Sequence, residues 1–459
     1  GLLAPGLAAA QSAAEEEDEA AELEGVIVTG TRVSGRTIAE SLSPIDVITP
    51  EALDAQGSTE LNVALSRLVP SFNFPRATIT DGTDHVRPAQ LRGLAPDQVL
   101  VLVNGKRRHS SAIVNLNGSV GRGSSAVDLN AIPASAIERI EVLRDGASAL
   151  YGSDAIAGVI NIVLKGDGEA STLEAGWGTY DEGDGDAATV SAFTSLGFGE
   201  GFVALSAELR DREATNRAGL DPRQQYPLVG GQPDPREASA NRLNHRFGDA
   251  ALEDQLLFLN AGLPLGGGVE AYVFGGVGRR DGEAAGFFRR PLDARNVPAV
   301  YPDGYLPLIT SDSLDRSVYA GARGDTAGGW AWDASVGYGG NTFDYGVANS
   351  INTSLGASSP RSFYAGTLEN GQATANLDLS RGVDVAWLTY PLNVALGAEL
   401  REETYRISAG QAESWVGTGS QVFPGFRPSD EVDASRDSWA LYVDLEAELA
   451  ERLTASTAL

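Results

Sequence analysis

From about residue 170 onward the chain alternates apolar and polar side chains, the period-two pattern of strands with two unlike faces. Val203, Leu205, Ala207 and Leu209 interleave with Ser206, Glu208 and Arg210, and Leu392, Val394, Leu396, Ala398 and Leu400 with Asn393, Glu399 and Arg401. Reading strands at 170–180, 188–197, 201–212, 254–263, 268–279, 313–323, 329–343, 370–380, 391–405 and 436–449 leaves connections of two kinds. Those at 197–201, 264–268, 324–328 and 449–452 are short, whereas 213–253, 280–312, 344–369 and 406–435 are long. Short and long take turns, apart from the first connection near 181–187. A sandwich in water also alternates, but it has no reason to gather its long loops at one end. A transmembrane barrel does, with short periplasmic turns and long extracellular loops. Its apolar face meets lipid, its polar face lines a wet lumen, and no open sheet edge is tolerated in the bilayer. The sequence stops inside an eleventh strand at 454–459, so the wall is expected to be incomplete.

Composition narrows the classes further. The 459 residues carry 34 basic and 62 acidic side chains, a net charge of −28, which disfavours nucleic acid as a partner. Cysteine is absent, excluding disulfides and thiolate chemistry, and three histidines leave little for metal sites or triads. No Walker-type loop, G-x-S-x-G or H-E-x-x-H occurs, so no enzyme, cofactor or metal is expected. Asp181, Glu182, Asp184 and Asp186 place oxygen ligands at spacings that suit calcium, and a solvated turn is the plainer reading. Methionine is absent and the chain starts at Gly1, as a processed or partial product would. The apolar run 1–14 reads as a signal-peptide remnant and 15–35 as an acidic tether.

Residues 36–165 have a compact α/β texture. Ile45–Ile48 is a strand, and Thr49, Pro50 and Glu51 start a helix with a capping hydroxyl and an early proline. Leu61, Leu65 and Leu68 mark the face of a second helix that ends near Pro70. Val99–Val103 is a buried strand turning at Asn104-Gly105, and 137–143 and 159–164 are further strands. The expected architecture is therefore an α+β domain followed by an antiparallel barrel.

Two runs are more specific. Leu91-Arg92-Gly93 leads through Val99–Val103 to Asn104-Gly105-Lys106-Arg107, and 142–165 reads VLRDGASALYGSDAIAGVINIVLK. Together they closely resemble the plug domain of TonB-dependent outer-membrane receptors, with the likeness spanning 24–165. Later runs at 289–309, 352–363 and 391–405 look like barrel segments of iron-complex-type members. The resemblance implies a barrel of about 22 strands with a plugged lumen, of which about ten to eleven are present, within 166–459.

It also makes Glu24, Gly25, Val26, Ile27, Val28 and Thr29 the candidate TonB box. A β-prone run on a tether can add a strand to a partner's sheet edge, and the lesser alternative is the first strand of the plug. Arg92, Gly93, Asn104, Gly105, Arg144, Asp145, Gly146, Tyr151 and Gly152 become plug framework, with Arg144 and Asp145 as buried, paired charges. In such receptors the plug apex faces outward. Loops 72–90 and 109–127 then offer Arg76, His85, Arg87, His109, Asn115, Asn117 and Arg122 to a ligand. The inward polar set, including Glu208, Arg210, Glu399, Arg401 and Glu446, is expected to meet the plug through wet polar contacts.

The function implied is TonB-energised import across the outer membrane of a Gram-negative bacterium. The partners are TonB with its inner-membrane energising complex, outer-membrane lipid and a small-molecule ligand. A ferric siderophore ranks first as ligand; a vitamin, glycan or peptide importer and a passive porin are the alternatives. A cork ahead of the strands argues against the porin.

Overall fold

The computed structural model describes Thr29 and residues 43–58, 60–388, 390–450 and 453–459. Glu24, Gly25, Val26, Ile27 and Val28 lie outside the described residues. The first domain contains β1 (Ile45–Ile48), β2 (Phe72–Asn73), β3 (Gln90–Leu91), β4 (Val99–Val103), β5 (Lys106–Arg107), β6 (Ile137–Leu143) and β7 (Gly158–Leu164). Five of these form one sheet in the order β1-β6-β7-β4-β5, and β2 pairs with β3. Helices α1 (Pro50–Asp54), α2 (Leu61–Leu68) and α3 (Ser148–Tyr151) accompany them.

Local chemistry explains these elements. Thr49 Oγ1 accepts from the Ala52 amide at 3.4 Å and Pro50 opens α1, satisfying a donor that a helix start leaves free. Strand β4 runs parallel to β7, so both of its faces are covered and its sequence is one apolar run. Asn104 and Gly105 take φ of 47° and 76°, the left-handed pair a two-residue hairpin needs to join β4 to β5.

The second part is one antiparallel sheet, the wall. Its strands are β8 (Thr172–Gly178), β9 (Ala187–Phe198), β10 (Gly201–Arg212), β11 (Ala251–Gly266), β12 (Val269–Ala285) and β13 (Leu308–Asp325). They continue with β14 (Ala331–Ala348), β15 (Phe363–Val383), β16 (Leu392–Ala409), β17 (Val432–Ala450) and β18 (Leu453–Ala458). Each strand pairs with its sequence neighbours, and β8 and β18 stand at the two edges. Several strands run further into the long connections than the alternation indicates: β12 reaches Ala285 and β13 starts at Leu308, shrinking 280–312 to 286–307. The reason is that outward residues there are polar, as with Asp281, Glu283 and Asp312, so backbone pairing continues where the apolar half of the pattern has faded.

The plug packs on the inward face of the wall. Leu65, Val101, Ile140 and Ile160 form its core, which continues without a break into the inward aromatics Phe258, Phe274 and Tyr319 of β11, β12 and β13. Phe274 and Tyr319 stack with centroids 5.1 Å apart. A second cluster joins plug residues Val86, Ala112 and Ile113 to Phe343, Tyr345, Val347 and Phe423 towards the long-loop end. The contact is thus partly dry, which corrects the expectation of a wholly polar interface. In β11 the run Leu256, Leu257, Phe258, Leu259 is apolar on both faces, so alternation alone hides the inward aromatic.

The outward face is equally defined. Leu257 is 50% exposed at the middle of β11, with Ala207 and Val277 directly across on the adjacent strands. Leu257→Arg is expected to destabilise the membrane-embedded protein by about 2–4 kcal/mol. Urea unfolding in lipid vesicles measures it; an unchanged midpoint would mean that this face does not meet hydrocarbon.

Candidate functional site

The seam between plug and wall is built on one strand. Successive inward residues of β13 are Ser311, Ser313, Asp315, Ser317 and Tyr319, and each serves the plug. His85 Nδ1 lies 2.6 Å from Ser311 Oγ. Ser313 Oγ accepts from Asn341 Nδ2, whose Oδ1 accepts from the Ala112 amide at 2.8 Å. Asp315 takes the Arg108 guanidinium and, at 2.9 Å, His109 Nε2. Arg108 Nη1 also donates to Ser317 Oγ at 2.5 Å, and the Tyr319 hydroxyl donates to the Arg107 carbonyl at 2.7 Å.

Both histidines enter the wall where a glycine leaves room. A Cβ on Gly339 would lie 2.1 Å from His109 Nδ1, and one on Gly282 would lie 2.7 Å from His85 Nδ1. Burial holds His85 down to about 4 and lowers His109, so both are neutral at physiological pH and dock as polar wedges.

Beside this row runs a chain of buried ions. Arg210 pairs with Glu208 and Asp254, Arg280 bridges Asp254 and plug residue Asp128 at 2.6 Å each, and Arg212 pairs with plug residue Glu60. Glu208 Oε2 also accepts from the plug amide of Ala134 at 3.1 Å. Further along, Arg107 approaches Glu399 at 3.5 Å and Arg401 reaches Asp154 at 3.0 Å, while Glu446 is buried on β17. Glu60, Arg108, Asp128, Arg280 and Asp315 are absent from the expected site. Their signal was faint: an ionic residue at an inward period-two position, readable only once the register is known.

The expected ligand-facing residues do not form one surface. His85, His109 and Asn115 are buried, the last bonded to Ser124. Arg76 and Arg87 converge on Asp249, with Arg87 buried and its Nε and Nη1 left without protein partners. Asn117 donates to Asp81 at 2.7 Å, and Arg122 is exposed. Of the framework residues, Arg144 and Asp145 are neither buried nor paired with each other. Arg144 holds Asp46 at 2.9 Å, and Asp145 faces Arg92 at 3.6 Å, both near the surface. They follow β6 directly, where the chain leaves the sheet. Gly93 and Gly152 take positive φ at turns, Gly146 donates its amide to Asp145, and Tyr151 closes α3. Thr29 is buried and donates to Glu141 Oε2 of β6 at 2.5 Å.

The long loops 213–250 and 286–307 are stapled three times in the same way. Asp221, Asp234 and Asp293 each accept from the amide and the guanidinium two residues on, in Arg223, Arg236 and Arg295. Those hydrogen bonds hold the three carboxyls below the usual range, Asp293 down to about 2. Tyr226 ties the loops together by donating to Asp303 at 2.9 Å. In the acidic turn, Asp184 is engaged by Arg217, and among the described residues no three His, Cys, Asp or Glu side chains are placed to hold a metal.

The family model for the TonB-dependent Receptor Plug Domain matches residues 37–159. Solved structures share the fold of the whole. Against the ferric enterobactin receptor of Pseudomonas aeruginosa the TM-score is 0.62 at 16% identity, covering 91% of this chain and 57% of that one. Against the siderophore receptor PirA of Acinetobacter baumannii it is 0.53 at 16% identity, covering 92% and 61%. The chain thus spans less than two thirds of the length of either receptor, and the likeness at this identity is one of fold. Residues 37–159 thus match the plug domain of TonB-dependent receptors, and the wall that follows shares the fold of solved receptors of that kind.

Proposed function

We propose that this chain is the plug and part of the wall of an outer-membrane receptor that imports a ferric siderophore with energy supplied through TonB. The observation that carries the reading is the plug itself, a folded domain fixed in the lumen by buried ions. A passive pore has no use for such a cork, whereas a gated importer requires one. The siderophore class is favoured by the solved receptors that share the fold, which bind ferric enterobactin or are named siderophore receptors. At the plug apex, the unpartnered Nε and Nη1 of Arg87, with Arg76 beside it, suit an anionic chelate. Asn117 and Arg122 are the exposed apical residues nearest in sequence to join them. His85, His109 and Asn115 are better assigned to holding the plug.

Glu24 to Thr29 is proposed as the run that TonB engages by strand addition. Thr29 is anchored to Glu141 in the central part of the plug sheet, so a pull on the residues ahead of it would be delivered into β6. Ile27→Pro removes a ladder donor. In the full-length receptor it is expected to abolish energy-dependent uptake of radiolabelled ferric enterobactin while leaving surface binding intact. Normal uptake by that variant would refute the assignment of the run.

The stapled loops predict a pH response. A carboxyl whose folded-state pKa is depressed contributes stability above its unfolded value and loses it as pH falls through the folded one. Loops 286–307 should therefore resist pepsin at pH 4 and be cut rapidly near pH 2, with Asp293→Asn sensitive at both. Equal cutting of the native loop at the two pH values would show that the staples do not hold it.

A further inference from the structure

The chain carries three Asn-Gly dipeptides, at Asn104-Gly105, Asn117-Gly118 and Asn370-Gly371. Such a pair readily loses ammonia, because a glycine has no Cβ to shield its amide nitrogen from the asparagine side chain before it. The fold protects two of them. The Gly105 amide donates to Asn161 Oδ1 at 3.0 Å, and Asn104 Oδ1 accepts from the Leu164 amide at 2.9 Å. Asn370 Nδ2 donates to the Ser110 carbonyl at 2.9 Å, and Gly371 is held in the wall between Gly340 and Thr404.

The third is open. Asn117 and Gly118 are exposed in a turn of the plug, where Gly118 has a φ of 72° and its amide has no acceptor among the described residues. The Asn117 side chain is tied through Nδ2, which donates to Asp81 Oδ2 at 2.7 Å. That bond, with the Thr83–Ser119 hydroxyl pair, joins the 116–119 turn to the 79–85 turn. The second turn is itself fixed to the wall, since the Asp81 carbonyl accepts from the Tyr345 hydroxyl at 3.1 Å. Burial and the charge of Asp84 push the Asp81 carboxyl up, and the donated amide of Asn117 offsets them.

We propose that Asn117 is a site of spontaneous deamidation, and that the reaction unfastens the 116–119 turn from the 79–85 turn. The Gly118 amide nitrogen forms a bond to Asn117 Cγ, the Cγ–Nδ2 bond breaks, and Nδ2 leaves as ammonia with the proton that the Gly118 nitrogen gives up. Water then opens the succinimide at one of its two carbonyl carbons, leaving aspartate or isoaspartate. A carboxylate at position 117 can no longer donate to Asp81 and repels it instead, so the contact that held the two turns together pushes them apart. The change is slow and one-way, and it adds a negative charge to the plug loops.

The test needs neither ligand nor TonB, so it stands apart from the import reading. The full-length receptor is purified in detergent and held folded at mildly alkaline pH, with a second sample unfolded in urea. Both are mapped by peptide mass, and isoaspartate is counted with protein isoaspartyl methyltransferase and labelled S-adenosylmethionine. Unfolded, all three dipeptides should react. Folded, position 117 should be converted many times faster than positions 104 and 370, and Asn117→Gln should abolish methyl labelling of that peptide. Trypsin should cut after the exposed Arg122 several-fold faster in Asn117→Asp than in the native protein. Should that variant fail to assemble, aged native protein gives the same reading, with the converted molecules cut first. Conversion of position 117 in the folded protein as slow as at the other two would overturn the site. Equal cutting of converted and unconverted molecules would overturn the unfastening.

Discussion

A wall whose strands satisfy one another's backbone hydrogen bonds has only side chains with which to hold a domain against its inner face. Here that task falls on the inward row of β13, Ser311 to Tyr319, where every second residue meets the plug directly or, for Ser313, through Asn341. The charges in the seam are buried, so each must be paired or it becomes a penalty of several kcal/mol (about 3–5 for a partner removed). Asp315 answers Arg108, and Asp128 with Asp254 answers Arg280. The ions therefore fix where the plug sits as much as how firmly it sits there. A slip of one residue along β13 would turn the whole row to lipid.

Around that fixed row the rest of the molecule divides by what each surface touches. Outward leucines and valines stand exposed along β10 to β17, and inward positions alternate small polar residues with ions. Phe258, Phe274 and Tyr319 extend the plug's own core into the wall. Dry aromatic contacts and ion pairs thus hold the plug along the wall, and open polar space remains beside Gly105 and Tyr151 at the end bearing the short turns.

Much of this was legible in the residues. The ten strands fall where the alternation put them, and capping at Thr49, the apolar run of β4 and the Asn104-Gly105 turn placed the plug elements. Strand ends were not legible, because outward residues beyond the lipid band turn polar while backbone pairing persists. The site was harder still. Sequence reasoning chose histidines and arginines in apical loops as ligand contacts, but His85 and His109 are wedged beside Gly282 and Gly339. Which face a loop residue turns to is decided by a wall strand more than 200 residues away, as |i−j| of 226 for His85–Ser311 illustrates. Arg144 and Asp145 were misjudged for a related reason: adjacent opposite charges look like a pair, yet at the end of a strand they point apart to Asp46 and Arg92.

That β13 anchors the plug is best tested by a double-mutant cycle on Arg108 and Asp315, read as denaturant unfolding of the full-length receptor in detergent. Arg108→Ala and Asp315→Ala should each destabilise the plug, and the double variant should be little worse than the more damaging single. The resulting coupling energy is expected to be about 2 kcal/mol or more, within the range for close charge pairs. Additive effects, with a coupling near zero, would mean that the plug is held elsewhere and that the β13 row is only a lining.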